Sequence, residues 1–438
     1  MKSGRVIPHL RWYICGLLFF ATTVNYIDRQ VLGILKPVLR TELGWDEEQY
    51  GDIVFAFQLA YAIMMPLTGR LIDWLGTRFS YAAAVVVWSF AAMAHALANS
   101  AGGFSIARFA LGFGEAANFP AAIKTVADWF PPKERALATG IFNSGSNVGA
   151  IIAPLVVPII AATWGWRMAF ILTGAVGFLW VVLWLWLYRE PREHPNLGAA
   201  ELAIIESERE NEPPAVKVPY AQLLRKRQTW AFLMGKFLTD PIWWFYLFWL
   251  PGYLYDKYGL NLTQLGPPLI VIYLAADVGS IGGGWLSSYL LARGLDLNRS
   301  RKLAMLVCAL SVTAIIFILF AGSNMWLAVT LISIATAAHQ GWSANLYTIV
   351  SDLFPRGWVG SVTGLGGMGG AIGGMIFAPT VGRYLKWSDG AYGPIFVLCG
   401  TIYLVALLVI HLIVPRLQDD KVIMPGSTPT PTPRPTGN

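Results

Sequence analysis

The chain reads as an all-α integral membrane protein: twelve transmembrane helices in two six-helix, pseudo-symmetric bundles. Three observations predict this. Of 438 residues, 55% are hydrophobic and only 13% charged, about half the charge of an ordinary soluble domain. The stretches 79–107, 136–166, 168–188, 303–351, 357–382 and 390–415 hold no Asp, Glu, Lys or Arg, and a spanning helix needs roughly 20 apolar residues. The second half of the chain also echoes the first. This composition excludes an ordinary cytosolic enzyme, a disordered protein and a nucleic-acid binder.

Splitting the runs, with Gly322-Ser323-Asn324 breaking the longest, predicts spans at about 12–36, 50–70, 79–98, 103–127, 137–161, 167–188, 230–254, 266–292, 302–321, 325–348, 359–382 and 391–414. Barrel strands would instead alternate over about ten residues. The first span is too long, and too polar near residues 25–30, for a cleaved signal peptide. Most of the 32 Lys and Arg fall on the N-terminal side of the spans, leaving Lys36, Arg40, Arg167, Lys257, Arg383 and Lys386 on the other. That bias predicts cytoplasmic termini.

The polar stretch 189–229 divides the chain. The expected organisation is a first bundle over 1–188, a cytoplasmic linker over 189–229, a second bundle over 230–415 and a disordered cytoplasmic tail over 416–438. The tail ends in alternating Pro and Thr, which build no core. Cys15, Cys308 and Cys399 are isolated, and the five His are scattered, so no disulfide framework, metal site or cofactor is expected.

The internal repeat has a register. Asp128-Trp129-Phe130-Pro131 with Thr139-Gly140 aligns with Asp352-Leu353-Phe354-Pro355 and Thr363-Gly364 at one constant offset. Gly145 and Gly149 align with Gly369 and Gly373. Gly69 to Arg78 has a weaker echo in Gly284 to Arg293. Transporters commonly bind substrate at such a repeat interface, near the midplane.

Gly69-Arg70-Leu71-Ile72-Asp73-Trp74-Leu75-Gly76-Thr77-Arg78, between spans two and three, resembles the signature loop of the major facilitator superfamily. The likeness covers about residues 12–415. Asn25-Tyr26-Ile27-Asp28-Arg29 in span one and Gly112-Phe113-Gly114-Glu115 through Pro120 in span four are similar to elements of its anion:cation symporter family. Ala338-His339-Gln340-Gly341-Trp342-Ser343-Ala344-Asn345 resembles the hexuronate transporters. The resemblance implies a major facilitator fold and proton-coupled symport of a sugar acid such as glucuronate or galacturonate by alternating access. It further implies a multi-pass protein of the bacterial inner membrane whose partners are a small sugar acid, a proton and lipid, with no nucleic acid; a monomer is expected. The rivals are another organic anion (aldonate, glucarate or aromatic carboxylate) and a sensor that binds without transporting. No nucleophile–base or metal constellation suggests an enzyme.

Ionisable groups at membrane depth are costly, so each is a functional candidate. They are Asp28, Arg29, Arg108, Glu115, Lys124, Lys236, Asp240 and Asp277. A guanidinium offers a carboxylate two parallel donors, and the resemblance gives that part to Arg29; the competing reading is a structural ion pair. By the same resemblance Asp28 and Glu115 carry the proton, with Arg108 holding one of them, and Gly69, Asp73 and Arg78 form a gate. Lys236 and Asp240, at i and i+4, read as a structural pair. Asp277 has no assigned role, and Lys124 snorkels.

A sugar also needs hydrogen-bond partners and flat surfaces. Tyr26 and Tyr61 match the family's pocket tyrosines. Asn143 and Asn147 share a face of span five. His339, Gln340 and Asn345 cluster in span ten, either in the pocket or as glue between helices. Trp244, with Trp243 and Tyr246, is a stacking candidate. The glycines of 364–374 suit close packing, and sliding, of helices.

Overall fold

A computed structural model describes residues 6–206, 219–354 and 356–417, and no strand occurs among them. Spans one to three are the helices α1 (Leu10–Leu43), α2 (Glu47–Leu75) and α3 (Thr77–Ala94). Span four is two helices, α4 (Ala101–Glu115) and α5 (Asn118–Trp129), and spans five and six are α6 (Pro132–Trp164) and α7 (Trp166–Leu187). The linker carries α8 (Ala199–Glu206) and α9 (Tyr220–Leu224). Span seven is α10 (Arg227–Phe248) followed by α11 (Leu250–Tyr258). Then come α12 (Gly266–Ala292), α13 (Leu297–Val312) running into a 3-10 helix (Thr313–Phe320), α14 (Met325–Leu353), α15 (Arg356–Trp387) and α16 (Gly393–Ile413). The tail expected to be disordered lies, from residue 418 on, outside the described residues.

Local chemistry sets the boundaries. α2 starts with a capping box in which Asp46 accepts from the Gln49 N–H and Gln49 accepts from the Asp46 N–H. Gly76 (φ 79°) and Gly165 (φ 85°) turn the chain between α2 and α3 and between α6 and α7, backbone angles that a side chain disfavours. The N-terminus of α1 is capped from a distance. The carboxylate of Glu201 in α8 accepts from the N–H groups of Leu10 at 3.0 Å and Arg11 at 3.2 Å. It also accepts from Arg11 Nη1 at 2.8 Å, while Arg11 Nε donates to Glu134 of α6. The linker is thereby strapped to the first bundle.

Helices α1 to α7 pack on one another, and α10 to α16 do likewise. The two bundles meet where α2 runs along α15, α6 along α12, and α1 along α10 and α11. Within the second bundle α12 and α14 approach so closely that Gly341 lies 3.0 Å, measured from an ideal β-carbon, from the Gly279 carbonyl oxygen.

The ion pairs described between the bundles all sit on the face away from the chain termini. Arg40 forks onto Asp256 at 2.9 and 2.6 Å. Lys386 reaches Asp46 at 2.9 Å and Glu48 at 2.7 Å, and Arg383 lies 3.5 Å from Glu48. Arg40, Asp46, Asp256 and Lys386 line a cavity of about 750 Å³ in that face. Deeper in, the Tyr50 hydroxyl of α2 donates to the Phe248 carbonyl of α10 at 2.7 Å. This mouth is closed.

Eight of the spans are long and apolar enough to cross a membrane by length and mean hydropathy. Spans one, four, seven and ten fall short. They are the ones that carry Asp28 and Arg29, Arg108 and Glu115, Lys236 and Asp240, and His339 and Gln340. Each opens a three-helix segment of the repeat.

Candidate functional site

α1 and α4 bring the main charges together in the middle of the molecule. Arg29 donates through Nε at 2.8 Å and Nη2 at 2.6 Å to one oxygen, Oε2, of Glu115, and through Nη2 to Asn25 at 3.2 Å. Arg29 and Glu115 are 2% and 0% exposed. The second oxygen of Glu115 has no hydrogen-bond partner among the described residues. A pair so deeply buried is weak evidence for stability, because desolvation offsets attraction. Its cost points to use.

Aromatic rings surround the guanidinium. Its carbon lies 4.8 Å from the ring centre of Tyr26, 5.1 Å from Phe57, 5.2 Å from Tyr61 and 5.1 Å from Trp244. Ring quadrupoles attract a cation by about 2 kcal/mol when it is desolvated. Three of these rings belong to the first bundle. Trp244 belongs to α10, so the cage closes only where the two bundles meet. Gly112 of α4 leaves no room for a β-carbon beside Phe57, which fixes α2 against α4 and so Phe57 against Arg29.

Arg108 sits one layer away. Its Nη2 donates to the Arg29 carbonyl at 2.9 Å, while Nη1 has no hydrogen-bond partner among the described residues. It therefore holds the α1 backbone at Arg29 and bonds neither carboxylate directly. Asp28 is 2% exposed, and both its oxygens lack hydrogen-bond partners among the described residues.

Lys236 donates to Asp240, with 2.8 Å between Nζ and Oδ2, and to the Tyr347 hydroxyl at 3.1 Å. The glycines of α15 face α10 and α2. A β-carbon on Gly370 would overlap the Asp240 carboxylate, and one on Gly374 would lie 3.1 Å from Trp244 and 3.2 Å from Gln58.

The span-ten residues are placed differently from one another. Gln340 is half-buried with no side-chain partner described. His339 stacks on Trp243, with ring centres 5.2 Å apart and planes 4° apart, and pairs through Nδ1 with the Tyr403 hydroxyl. Asn345 donates to the carbonyls of Gly283 at 2.8 Å and Gly341 at 2.9 Å, tying α14 to α12. His339 and Asn345 are thus engaged inside the second bundle, as glue. Asn143 is exposed beside the interface with α12, and Asn147 on the same face stands next to Asp277. Between α2 and α3, Arg78 donates to the Leu185 carbonyl of α7; the side chains of Gly69 and Asp73 lie outside the described residues. Lys124 reaches the Ile72 carbonyl at 3.5 Å.

Three residues near the site escaped the sequence reading. Gln30 and Gln58 are buried, their amides without hydrogen-bond partners among the described residues, and Phe57 completes the cage. Two glutamines within apolar runs were the available signal. In the second half, the repeat offset carries Arg78 onto Lys302, which donates to the Val414 and Pro415 carbonyls at the end of α16, while Arg301 bonds Asp352 at 2.8 Å and Ser287 at 2.6 Å. Arg293 instead lies over the Tyr289 ring.

Comparison with known proteins gives this geometry a context. The sequence profile of the Major Facilitator Superfamily matches residues 18–378. A hexuronate transporter of Escherichia coli K12 is 37% identical over 412 residues, covering 93% of this chain and 94% of the relative. A galacturonate transporter of Dickeya chrysanthemi is 36% identical, covering 64% of this chain and 82% of the relative. Among solved structures, a bacterial homologue of the human lysosomal transporter Spinster, inward-facing and occupied, superposes with a TM-score of 0.71 at 20% identity, covering 93% and 97% of the two chains. Two duplicated bundles of six spans, a profile match over most of the chain and relatives that are themselves transporters lead to one assignment. This multi-pass membrane protein is a transporter and not an enzyme, and it belongs to the Major Facilitator Superfamily.

Proposed function

We propose that the protein is a proton-coupled symporter of a hexuronate, a galacturonate- or glucuronate-like sugar acid, working by alternating access in a bacterial inner membrane. The single observation that carries this reading is the buried Arg29–Glu115 pair inside an aromatic cage completed by Trp244 of the other bundle. The names of the similar transporters support the substrate class.

In this reading the substrate carboxylate and Glu115 compete for the same guanidinium edge. Arg29 spends two of its N–H groups, on Nε and Nη2, on a single oxygen of Glu115. A proton on Glu115 removes the charge that holds the edge, and the incoming carboxylate takes it with two parallel bonds. Proton and anion are then bound together or not at all. Asp28, buried and with no hydrogen-bond partner among the described residues, is a second proton carrier. Tyr26, Tyr61 and Trp244 offer flat faces to the sugar ring, and Asn143 and Gln340 offer polar edges. Residues 1–188 and 230–415 act as the two rocking bodies, joined by the linker 189–229. With cytoplasmic termini, the ion-paired face is the outer one, and the outer mouth is the one held closed by these pairs. The gate at Gly69, Asp73 and Arg78 acts on the opposite, inner mouth.

The test is uptake of labelled galacturonate by the purified protein in liposomes under an inward proton gradient. Wild type accumulates the acid against its gradient. Glu115→Gln still exchanges substrate but no longer accumulates it. Uphill uptake by that variant refutes the proton assignment. Uptake of labelled gluconate or of a labelled aromatic carboxylate, with no galacturonate uptake, would identify another organic anion as the substrate.

A further inference from the structure

We propose that Asp240 sets the charge of the substrate: it cancels Lys236 and so restricts the central site to a singly charged acid. This rests on the sugar-acid reading above and goes further, because it assigns a selectivity role to a pair that its spacing alone marks as structural.

Lys236, Asp240 and Trp244 occupy positions i, i+4 and i+8 of α10 and so share a face. Trp244 on that face rests against Arg29. At 1.5 Å per residue, Asp240 lies about 6 Å and Lys236 about 12 Å along the helix axis from Trp244, toward the face that carries the termini. Tyr347, which accepts from Lys236, is 40% exposed. Gly370 of α15 lies against the Asp240 carboxylate, and Gly374, one turn further on, lies between Trp244 and Gln58 of the first bundle. The two ion pairs therefore border one space, one pair from each bundle. The Asp240 side chain is 18% exposed against 7% for Lys236, so the carboxylate covers the ammonium. Its seat requires the glycine at 370.

Leaving aside Asp277, which stands beside Asn147 on the seam of α6 and α12, six ionisable groups stand around the two ion pairs. Arg29, Arg108 and Lys236 are basic; Asp28, Glu115 and Asp240 are acidic. Fully ionised they balance. One proton added to one carboxylate makes room for one negative charge, that of a hexuronate. A six-carbon diacid brings a second charge, and a charge buried without a counter-ion is strongly disfavoured. With Asp240 neutralised, Lys236 is free to receive that second carboxylate at the far end of the molecule.

The experiment compares uptake of labelled galacturonate, with one carboxylate, and galactarate, with two, in liposomes carrying the full-length protein. Asp240→Asn raises the galactarate-to-galacturonate ratio about tenfold or more. Lys236→Gln depresses uptake of both acids. The double variant Lys236→Gln/Asp240→Asn recovers galacturonate uptake relative to Lys236→Gln and returns the ratio toward that of wild type, because the charges balance again. An unchanged ratio in an Asp240→Asn protein that elutes and melts like wild type overturns the proposal. If Asp240→Asn does not fold, the double variant decides, and recovery no better than Lys236→Gln overturns it. A wild type that carries neither acid overturns the sugar-acid reading and this proposal together. A wild type that carries galacturonate, with the ratio unmoved by the variants, overturns this proposal alone.

Discussion

Replacing Gly51 by alanine tests whether the contact of α2 with α15 is a conformational gate or part of a fixed core. A β-carbon on Gly51 would lie 2.9 Å from the Ala378 carbonyl oxygen, 3.2 Å from Pro379 Cα and 3.3 Å from Gly382 Cα. All three are backbone atoms of α15, so no side chain can swing aside. Carbon contacts are comfortable at about 3.5–4.0 Å, so the helices must part by roughly half an ångström. Overpacking of this size costs about 1–3 kcal/mol. Because the contact joins two bundles, the protein escapes that cost by opening the mouth. The closed state should lose population by about 5- to 150-fold relative to the open one. Spin labels at Leu97 and Trp387, 82% and 83% exposed on the two bundles, read the opening as a longer distance. Gly174→Ala is the matched control. Its β-carbon would meet Ala92 Cβ, Met93 Cγ and the Ser89 carbonyl, each at 2.9 Å, but inside the first bundle between α7 and α3. It should lower thermal stability and leave the distance alone. If Gly51→Ala loses stability as Gly174→Ala does, with the label distance unmoved, the gate argument is wrong.

Two further outcomes concern the linker strap. His194 is held neutral: Nδ1 accepts from the Asn196 N–H at 3.1 Å and Nε2 donates to the Leu187 carbonyl at 2.8 Å. Partial burial, and then the neighbouring Arg189 working against the Leu187 bond, keep its pKa below the usual 6.5. The unfolded strap binds a proton more readily, so the strap's stability is full above about pH 6.5 and declines as pH falls through that value. Hydrogen exchange at Ile7 and Asn196 should accelerate between pH 7 and pH 5.5, beyond the intrinsic trend, and the difference should vanish in His194→Gln. Glu201→Ala removes the remote cap of α1 and one partner of Arg11, and should cost about 2 kcal/mol. Faster exchange at Leu10 and Arg11 with transport kinetics retained is the expected signature; unchanged exchange there would show that water replaces the carboxylate.

The span count was legible because lipid-facing helices exclude charge, and the charge-free runs located α3, α6, α7 and α16 to within a few residues at most ends. The break in span four between Glu115 and Asn118 was not legible, because an apolar pattern carries no record of a locally irregular turn. Arg29 and Glu115 stood out as charges in apolar runs, but their direct bond did not, since it depends on how α1 leans on α4. Asn345 illustrates the opposite limit. Its amide looks available in sequence, but the close approach of α12 at Gly283 occupies it. Trp244 stood out only as an aromatic side chain; its place over Arg29 follows from contact between bundles, which no local pattern encodes.

The four spans too polar to pass the hydropathy test have a consequence for how the protein is made. A nascent helix holding Asp28 and Arg29 gains little by leaving the insertion machinery for lipid on its own. The same holds for the helices that carry Arg108 and Glu115, Lys236 and Asp240, and His339. Each is followed in the chain by two greasier helices. Insertion is then expected to proceed in threes, each polar leader staying at the insertion machinery until its followers arrive to shield it. Shortening or charging α2, α6, α12 or α15 would strand the leader before any binding site exists.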